Sequence, residues 1–348
     1  MSSPVIIAID AMGGDDAPGM VIDGLKLAQQ RAPDARYLIF GDSARIDPLL
    51  ARQAELAGVC EVRHTSEAVS NDAKPSAALR SGRQTSMRLA IDAVRDGHAG
   101  GVVSAGNTGA LMAMAKVVLR MLPGIHRPAI GSFFPTLRGE SAMLDLGANV
   151  ECDAENLVQF AIMGDVFART VLGLANPSIG LLNVGAEELK GHEYLRAAAA
   201  MIRDGNLPLN FHGFIEGDDI AAGTVDVVVT DGFTGNVALK MAEGTARLYA
   251  GFLRGAFESS IVARIGYVLA RRAIEKVRQR TDPRRYNGAM FLGLNGIVVK
   301  SHGGTDAIGF ANAVGVAIDL LRNRVNDRIR TELERVTAAA PGAQVASA

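Results

Sequence analysis

Six short apolar segments of this chain each end at a small, polar, glycine-rich turn. The segments read VIIAI, GGVV, AML, SIGLL, VDVVV and GIVV, and the turns cover 10–15, 104–109, 145–149, 183–191, 231–236 and 300–304. Ligands of open α/β sheets bind outside the carboxyl ends of the strands, where glycine lets backbone N–H groups approach closely. The N-termini of helices that follow such turns favour anions. The sequence therefore predicts that the six turns converge on one anion-binding crevice.

Short strands alternate with longer amphipathic segments, which predicts an α/β fold with a mainly parallel sheet covered by helices on both faces. The predicted strands are 5–10, 37–41, 101–104, 129–134, 142–146, 178–183, 225–230 and 296–300, and the predicted helices are 19–31, 76–97, 107–121, 153–173, 187–203, 236–257, 260–280 and 305–334. The polar connection 135–140 joins two adjacent strands, so part of the sheet is expected to be antiparallel. We expect residues 1–335 to form a single domain and 336–348 to form a disordered tail.

Charge and cysteine content narrow the class of protein. The formal net charge of −1 gives no global field that would attract nucleic acid. Cys60 and Cys152 have no metal-type spacing and form no disulfide framework, so a reducing cytoplasm is the expected location. The N-terminus lacks the features of a signal peptide, and no apolar run approaches the ~18 residues that span a bilayer. We expect a cytoplasmic protein with no nucleic-acid partner, no metal and no cofactor.

One segment, 251–285, departs from this nearly neutral background. Apolar residues such as Leu253, Phe257 and Ile261 recur at helical spacing, and nine Arg and Lys residues accompany only three acids. A basic amphipathic element of this kind binds a membrane surface or an acidic partner. The residues expected to make that contact are Arg264, Arg271, Arg272 and Lys276. A helical hairpin that packs on a partner subunit is an equally good interpretation, and both can hold.

Several common motifs are absent from the sequence. It contains no G-x-G, no G-K-[ST], no H-E-x-x-H and no G-x-S-x-G. These absences count against a nucleotide kinase, a zinc protease and a serine hydrolase. They leave NAD binding at a less regular site open.

Two of the turns have the character of anion-binding loops. In the turn 10–15, Gly13 and Gly14 permit an exposed backbone, and an Asp stands at each end. In the turn 104–109, Ser104, Asn107 and Thr108 offer donors just before a helix, which is typical of a phosphate cradle. The structural alternatives are an Asp-capped turn in the first case and a helix N-cap in the second.

The remaining turns carry the candidate catalytic side chains. Lys190 follows two Glu residues that are expected in the first turn of a helix, and it is either an inward cation for an anionic substrate or a solvated charge. Asn236 is expected to cap a helix and is also a candidate oxyanion donor. His302 is a candidate general base or a structural histidine. Cys152 has acidic neighbours that raise a thiol pKa, so a nucleophilic cysteine is not expected.

A set of motifs occurs in order between about residues 5 and 315: IAIDAMGGD, KPSAALR, SAGNTGALMA, LDLGANV, LVQFAIMG, LLNVGAEELKG, DGFTGNVALK and YNGAMFLGLNGIVVKSHG. Together they resemble the bacterial phosphate acyltransferases of the PlsX family. The resemblance implies a three-layer α/β/α Rossmann-like sandwich of the isopropylmalate dehydrogenase and phosphotransacetylase type, with a protruding amphipathic helical hairpin. It also implies a cytosolic homodimer that associates peripherally with the inner face of the cell membrane.

The same resemblance implies an activity and its partners. Members of that family convert acyl-[acyl carrier protein] and inorganic phosphate into acyl phosphate and free carrier protein, and acyl phosphate then feeds glycerol-3-phosphate acylation. Acyl carrier protein, an anionic membrane and the downstream glycerol-3-phosphate acyltransferase are therefore the expected partners. The motif positions that carry over are Asn183, Gly185, Lys190 and Gly191, and then Asp231, Gly232, Phe233, Gly235 and Asn236. Ala186 stands where relatives often carry Glu, and Arg80 and Arg83 are further candidate anion contacts.

Direct attack of phosphate on the thioester is the mechanistic hypothesis, because phosphate is already nucleophilic and a thiolate leaves readily. Lys190 and Asn236 are the predicted catalytic residues, the first for charge neutralisation and the second as a donor to the carbonyl oxygen. The predicted substrate contacts are Asp10, Gly13, Gly14, Asp15, Ser104, Gly106, Asn107, Thr108, Gly109, Asp145, Gly147, Asn149, Asn183, Asp231, Gly232, Phe233, Lys300 and His302.

Three alternatives stay open. An acyl-CoA:phosphate acyltransferase would share the fold and differ in its thioester donor. An NAD-dependent decarboxylating dehydrogenase would need a metal held by Asp residues, for which Asp10, Asp15, Asp145 and Asp231 are candidates. A non-enzymatic membrane scaffold would use the basic segment 251–285 alone and would leave the six turns without a purpose.

Overall fold

One eleven-stranded sheet runs through the computed structural model, which describes residues 4–205 and 207–339. The strands are β1 Ile6–Asp10, β2 Arg36–Gly41, β3 Cys60–His64, β4 Gly101–Ser104, β5 Ala129–Thr136, β6 Gly139–Leu144, β7 Ser178–Leu182, β8 Asn210–Ile215, β9 Val227–Val229, β10 Ala289–Leu292 and β11 Ile297–Lys300. Their order across the sheet is β3-β2-β1-β4-β11-β10-β5-β6-β9-β7-β8.

Two parallel groups of strands make up this sheet, and they run in opposite directions. Strands β3, β2, β1, β4 and β11 are mutually parallel, and so are β6, β9, β7 and β8. The pairs β11–β10, β10–β5 and β5–β6 that link the groups are antiparallel. The expected antiparallel pairing around 135–140 is therefore confirmed. Because three reversals separate the groups, their carboxyl ends point in opposite directions.

Helices cover both faces of the sheet, which confirms the three-layer α/β/α sandwich. They are α1 Gly19–Arg31, α2 Ser43–Leu50, α3 Pro75–Ser81, α4 Ser86–Arg95, α5 Thr108–Leu119, α6 Ala154–Val171, α7 Glu193–Asp204, α8 Gly217–Ala222, α9 Gly232–Glu258, α10 Ile261–Arg280, α11 Ala307–Arg322 and α12 Val325–Ala339. Alternate strand residues enter separate cores. Ile7 and Ile9 of β1 pack in one core with α1, α6 and α11, whereas Ala8 packs in the other with α4 and α5.

Three strands, β3, β8 and β10, are not predicted by the sequence pattern. β3 reads CEVRH and β8 reads NFHGFI, and both are edge strands of the sheet. An edge strand is partly solvated and needs no continuous apolar run, so its sequence does not stand out from a loop. β10 reads AMFL, which is short and contains no β-branched residue.

Two predicted helices are each divided in the structure. The segment 76–97 forms α3 and α4, with the break after Ser81. At Gly82 a Cβ would lie 2.5 Å from Ala78 O, and Thr85 caps the second helix. The segment 305–334 divides into α11 and α12 at Arg324, whose φ is 53°. Apolar residues keep their helical spacing across both breaks, so the hydrophobic period alone does not reveal where the helices are divided.

The structure corrects part of the segment 336–348 that is expected to be a disordered tail. Helix α12 continues to Ala339, so residues 336–339 are helical. Residues 340–348, which are also part of the expected tail, lie outside the described residues.

Helices α9 and α10 form the predicted protruding hairpin, joined at 259–260. The rings of Phe257 and Tyr267 meet edge to face with centroids 5.3 Å apart across the hairpin. No residue of α10 is buried, and large apolar side chains such as Val262 and Leu269 are exposed. No helix in the described part of the chain has the length and apolar content of a membrane span.

Candidate active site

Three of the six turns meet at the carboxyl ends of the neighbouring strands β1, β4 and β11. We call residues 10–15, 104–109 and 300–304 the first turn cluster. Asp15 N donates to Gly303 O at 3.0 Å, which joins the first turn to the third. A Cβ at Gly13 would lie only 2.5 Å from Gly106 N, so the first and second turns touch backbone to backbone. The predicted convergence holds for these three turns.

Asp10 is a buried carboxylate that connects two turns of the first turn cluster to each other and to Ser86. Its carboxylate accepts from the hydroxyl groups of Ser86 at 2.6 Å and Ser104 at 2.7 Å, and from Met12 N at 3.3 Å. Burial raises the pKa of this carboxyl, and these three donors oppose the rise. Asp10 is 1 % exposed, so the structure gives it an organising position beneath the turns.

Lys300 is a largely buried cation beside the same turns. Its Nζ donates to the carbonyl oxygens of Ala105, at 3.3 Å, and Ser301. Burial lowers the pKa of this ammonium to about 8, while the nearby Asp10 and Asp15 carboxylates oppose the shift. Its hydrogen-bond partners are neutral carbonyls, and the attraction from Asp10 and Asp15 compensates part of its charge.

Asn107 is a helix N-cap, which is the structural alternative that the sequence left open for this turn. Its Oδ1 accepts from Ala110 N at 2.9 Å and caps α5, and its Nδ2 donates to the carbonyls of Asn71 and Ala73 at 2.7 and 3.0 Å. Asn71 Nδ2 in turn donates to Asp15 Oδ1 at 3.1 Å. The side-chain donors of Asn107 are thus already used, and Asn71, which the motifs do not mark, fixes this loop to the first turn.

The backbone N–H groups at the start of α5 are the remaining candidate anion donors of the turn 104–109. Thr108 and Gly109 begin α5, where the first N–H groups have no partner within the helix. His302 lies opposite, exposed, with its backbone N–H on Asn287 Oδ1 at 2.8 Å and its Nδ1 accepting from Gly304 N at 3.1 Å. The ring therefore shapes its own turn, and its role as a general base stays a prediction.

The other three turns form a second turn cluster, residues 145–149, 183–191 and 231–236, after β6, β7 and β9. Asp145 organises the first of them. Its carboxylate accepts from the backbone N–H groups of Ile130, Gly147, Ala148 and Asn149 at 2.7 to 3.1 Å. Burial raises the pKa of Asp145 against these donors. Its oxygens are occupied by the loop itself, which Asn149 Nδ2 reinforces at 2.9 Å.

Asp231, not Asn236, caps α9. Its Oδ1 accepts from Thr234 N at 2.8 Å, and its Oδ2 accepts from Thr234 Oγ1 at 2.8 Å and from Tyr194 OH at 3.4 Å. Helix α9 thus begins four residues before the predicted start, because the Gly-Phe-Thr-Gly segment is helical here. Tyr194 is another contact that sequence reasoning did not find.

Asn236 lies in the second turn of α9 and is exposed. Its Nδ2 donates to Leu146 O at 3.1 Å, and the same nitrogen would lie 3.1 Å from a Cβ at Gly147. The glycine, whose φ is 132°, thus gives room for the amide. Phe233, one turn earlier, is 63 % exposed. One amide hydrogen of Asn236 remains free to donate to a ligand.

The loop that carries Lys190 differs from its prediction. Helix α7 begins at Glu193, so Glu187 and Glu188 belong to a turn rather than to a helix. Asn183 Nδ2 donates to the carbonyls of Gly185 and Lys190, both at 3.1 Å, and closes that turn. Hydrogen bonds from the Asn183 side chain hold this segment as a loop, in place of the helical turn that acidic residues such as Glu187 and Glu188 usually favour.

Lys190 is paired and half-exposed. Its Nζ lies 2.8 Å from Glu187 Oε1, and the side chain is 52 % exposed. Hydrogen bonding and attraction from Glu187 raise the pKa of Lys190, so it is charged at neutral pH. A Cβ at Gly185 would lie 2.5 Å from Lys190 Cδ, so the lysine stem lies over this glycine.

Strands β11 and β6, which lead into the two clusters, run in opposite directions and end at nearly the same level of the sheet. Lys300 pairs with Ala289, Phe291 pairs with Ile130, and Ile130 N donates to Asp145 Oδ1. Three strand spacings separate β11 from β6, roughly 14 Å. No hydrogen bond between described residues joins the clusters. The sheet reverses between the two groups, and the convergence of all six turns on one crevice stays a prediction.

Cys152 lies beside the second turn cluster and is not activated. Burial raises the pKa of its thiol to about 12, and the nearby Asp145 adds to the rise. The described residues hold no group of three or more His, Cys, Asp or Glu side chains that could bind a metal. The four Asp residues of the dehydrogenase alternative divide between the clusters.

Gly235 provides a test of the packing in the second turn cluster. A Cβ there would overlap Asp145 O, whereas a Cβ at Gly244, in the same helix, would meet nothing within 4 Å. Gly235→Ala is expected to lower the free energy of unfolding by about 1–3 kcal/mol, because the clash outweighs the helix-propensity gain of about 1 kcal/mol. Gly244→Ala should raise it by up to about 1 kcal/mol. Equal midpoints in urea for both variants would contradict this packing.

The fold places the chain in the class of phosphotransacetylase-like α/β proteins. The structure matches a phosphotransacetylase from Streptococcus pyogenes with a TM-score of 0.61 and 17% identity, over 92% of this chain and 95% of that one. It matches the EutD phosphotransacetylase from Staphylococcus aureus with a TM-score of 0.56 and 16% identity, over 95% and 94%. These likenesses concern the fold.

Sequence comparison identifies the family within that class. Residues 5–328 match the family model described as fatty acid synthesis protein. The chain is 65% identical over 339 residues to the phosphate acyltransferase of Paramagnetospirillum magneticum, covering 97% of both chains. It is 64% identical over 336 residues to that of Rhodospirillum rubrum, covering 97% of this chain and 96% of the relative. The chain belongs to the phosphate acyltransferase family.

Proposed function

We propose that this protein transfers an acyl group from acyl carrier protein to inorganic phosphate. A phosphate oxygen attacks the thioester carbonyl carbon, the C–S bond breaks, and the thiolate of the carrier leaves and takes up a proton. The products are acyl phosphate and free carrier protein. Membership of the phosphate acyltransferase family supports the reaction, and the resemblance of the motifs supports the carrier-bound donor.

The largely buried Lys300 among glycine-rich turns is the observation that most favours a phosphate substrate. Its ammonium and the free N–H groups of Thr108 and Gly109 suit an oxyanion. Phosphate brings its own negative charge, so the protein needs positioning and charge neutralisation rather than a nucleophile. The raised pKa of Cys152 agrees with a direct attack.

The second turn cluster is proposed to act on the thioester in a crevice that the first turn cluster also lines, because phosphate held by Lys300 must reach the carbonyl carbon. Asn236 has a free amide hydrogen and is held against the 146–147 backbone, which supports its proposed role as a donor to the carbonyl oxygen. Lys190 is proposed to neutralise phosphate or the developing oxyanion, which requires it to leave Glu187 when substrate binds. Its half-exposed position makes that exchange inexpensive, since a surface ion pair contributes little free energy.

Phosphate-dependent release of the carrier thiol tests the proposed function. Purified protein is incubated with acyl carrier protein that bears an acyl chain, with and without phosphate, and free thiol is measured. We expect release only with phosphate, and a higher kcat/KM for acyl carrier protein than for acyl-CoA. A preference for acyl-CoA would favour the transacetylase-like alternative. Radiolabelled acyl groups that stay on denatured protein would contradict direct transfer.

The α9–α10 hairpin is proposed to dock acyl carrier protein or an anionic membrane. Carrier proteins are acidic, and Arg271, Arg272 and Lys276 lie on the exposed face of α10. Reversing the charge of Arg271 and Arg272 to Glu should raise KM for the carrier or release the protein from anionic vesicles. The exposed Arg52 on the other half of the sheet supplies a control, Arg52→Glu, that should change neither. If the hairpin variants change neither KM for the carrier nor binding to anionic vesicles, the role of the hairpin is packing between subunits.

The cellular setting follows from the same proposal. We propose a cytoplasmic homodimer on the inner face of the membrane, where acyl phosphate passes to a glycerol-3-phosphate acyltransferase. The exposed apolar side chains of α9 and α10 support a contact of this kind, because they have no partner within the described chain that covers them.

A further inference from the structure

A groove with a volume of about 290 Å³ opens between the segment 67–73, helix α3 and Thr85. Six of its ten lining residues are small and apolar, and the other four are polar: Ala68, Val69, Ala73, Ala77, Ala78 and Gly82 against Glu67, Ser70, Ser81 and Thr85. The hydroxyl groups of Ser81 and Thr85 also line it, and they donate to the carbonyls of Ala77 at 2.9 Å and Gly82 at 2.7 Å. The hydrogens of these two hydroxyl groups are thus already used, and the alanine, valine and glycine residues of the lining suit an apolar ligand.

Both walls of the groove are bonded to the first turn cluster. On one side, Asn107 Nδ2 holds the carbonyls of Asn71 and Ala73. On the other side, Ser86, next to Thr85, donates to the buried Asp10 at 2.6 Å. Helix α3 also touches the cluster, since a Cβ at Gly109 would lie 2.7 Å from Pro75 Cγ. The walls of the groove are therefore anchored to the first turn cluster.

The walls are also bonded to each other, so the groove is formed without a ligand. Thr65 Oγ1 donates to Gln84 O at 2.5 Å, and Ser86 N donates to Glu67 O at 3.0 Å. Residues 67 and 85 form a parallel bridge. A preformed apolar site avoids the entropy cost of ordering its walls when the ligand binds.

We propose that this groove holds the acyl chain of the substrate and of the acyl phosphate product. The assignment rests on the proposed function. Acyl phosphate has an anionic head and an apolar tail, and the structure joins an anion-binding cluster to an apolar groove in that order. The small side chains leave the room that a chain of methylene groups requires. Ala77 is an exposed lining residue on α3, and a larger side chain there would shorten the acyl chain that fits.

Alkyl phosphates probe the groove without turnover. Butyl, octyl and dodecyl phosphate are titrated calorimetrically into wild type, Ala77→Phe and Ser76→Leu. In the wild type, affinity should rise about fourfold for each methylene buried, until the groove is full. Ala77→Phe should abolish this dependence and leave the affinity for inorganic phosphate unchanged. Ser76→Leu adds an apolar side chain to the same helix away from the lining, and it should behave as wild type.

The outcomes separate the groove from the proposed function. A wild type without chain-length dependence, or an Ala77→Phe variant that retains it while folded, would overturn the groove assignment. A wild type that binds longer alkyl phosphates more tightly but releases no carrier protein would contradict the proposed function and leave the groove assignment standing. In the acyl transfer assay, Ala77→Phe should shift the preferred acyl chain to a shorter one.

Discussion

Asn236→Ala and Lys190→Met are each expected to lower kcat for acyl transfer by about 10²-fold or more. The loss of one preformed donor to a developing oxyanion has an effect of this size in other enzymes. The effect should fall on kcat rather than on KM, because the carbonyl oxygen gains its charge only in the transition state. Initial rates of carrier release at saturating phosphate measure it.

Lys240 gives a matched control for Lys190. It is 51 % exposed and forms an ion pair with Glu243 at 2.9 Å, in the same i,i+3 spacing as Lys190 with Glu187. Lys240→Met therefore removes a comparable charge and pair, and it should leave turnover unchanged. Near wild-type turnover of both Lys190→Met and Asn236→Ala would refute the assignment of the second turn cluster to catalysis.

Lys300→Met is expected to lower kcat/KM for phosphate by about 10²-fold or more, since it removes a largely buried cation from an anion site. The wild type should also lose kcat/KM for phosphate as pH rises through about 8, where Lys300 gives up its proton. Lys300→Arg should move that loss beyond the accessible range, because the guanidinium stays charged. Rates measured between neutral and alkaline pH check both variants.

The pH dependence of folding stability distinguishes a loss of phosphate binding from a loss of the fold. Burial lowers the pKa of Lys300 from 10.5 to about 8, so the unfolded chain binds more protons between these values. The contribution of Lys300 to stability therefore rises with pH across that window, while its contribution to phosphate binding falls. If Lys300→Arg and wild type lose kcat/KM at the same pH, the ammonium is not the group that titrates.

The fold was predictable where strands are fully buried. The segments around β1, β4, β9 and β11 are β-branched and continuous, because helices cover both of their faces. The edge strands β3 and β8 were not predictable, since their polar residues face solvent. The direction of each parallel group was also hidden, because it depends on which strands pair across β10 and β5.

The positions of the candidate site residues at strand ends were predictable from the sequence, but their hydrogen-bond partners were not. Glycine-rich turns after buried strands marked Lys300, Asp10 and Asn236 correctly as neighbours of a sheet end. Their roles depend on partners distant in the chain: Ser86 for Asp10, Leu146 for Asn236 and the carbonyl of Ala105 for Lys300. No local pattern encodes these pairings, so a motif alone does not tell a loop anchor from a ligand contact.

The position of β11 between β4 and β10 has a consequence for synthesis of the chain on the ribosome. The strand that carries Lys300 is the last to be made, yet it fills the middle of the sheet. Until it inserts, β4 offers an open edge with unpaired backbone groups, which is a hazard for association with other chains. A nascent or truncated chain that stops before residue 300 lacks Lys300 and the full middle strand of the sheet, so the proposed phosphate site forms only after β11 has been made.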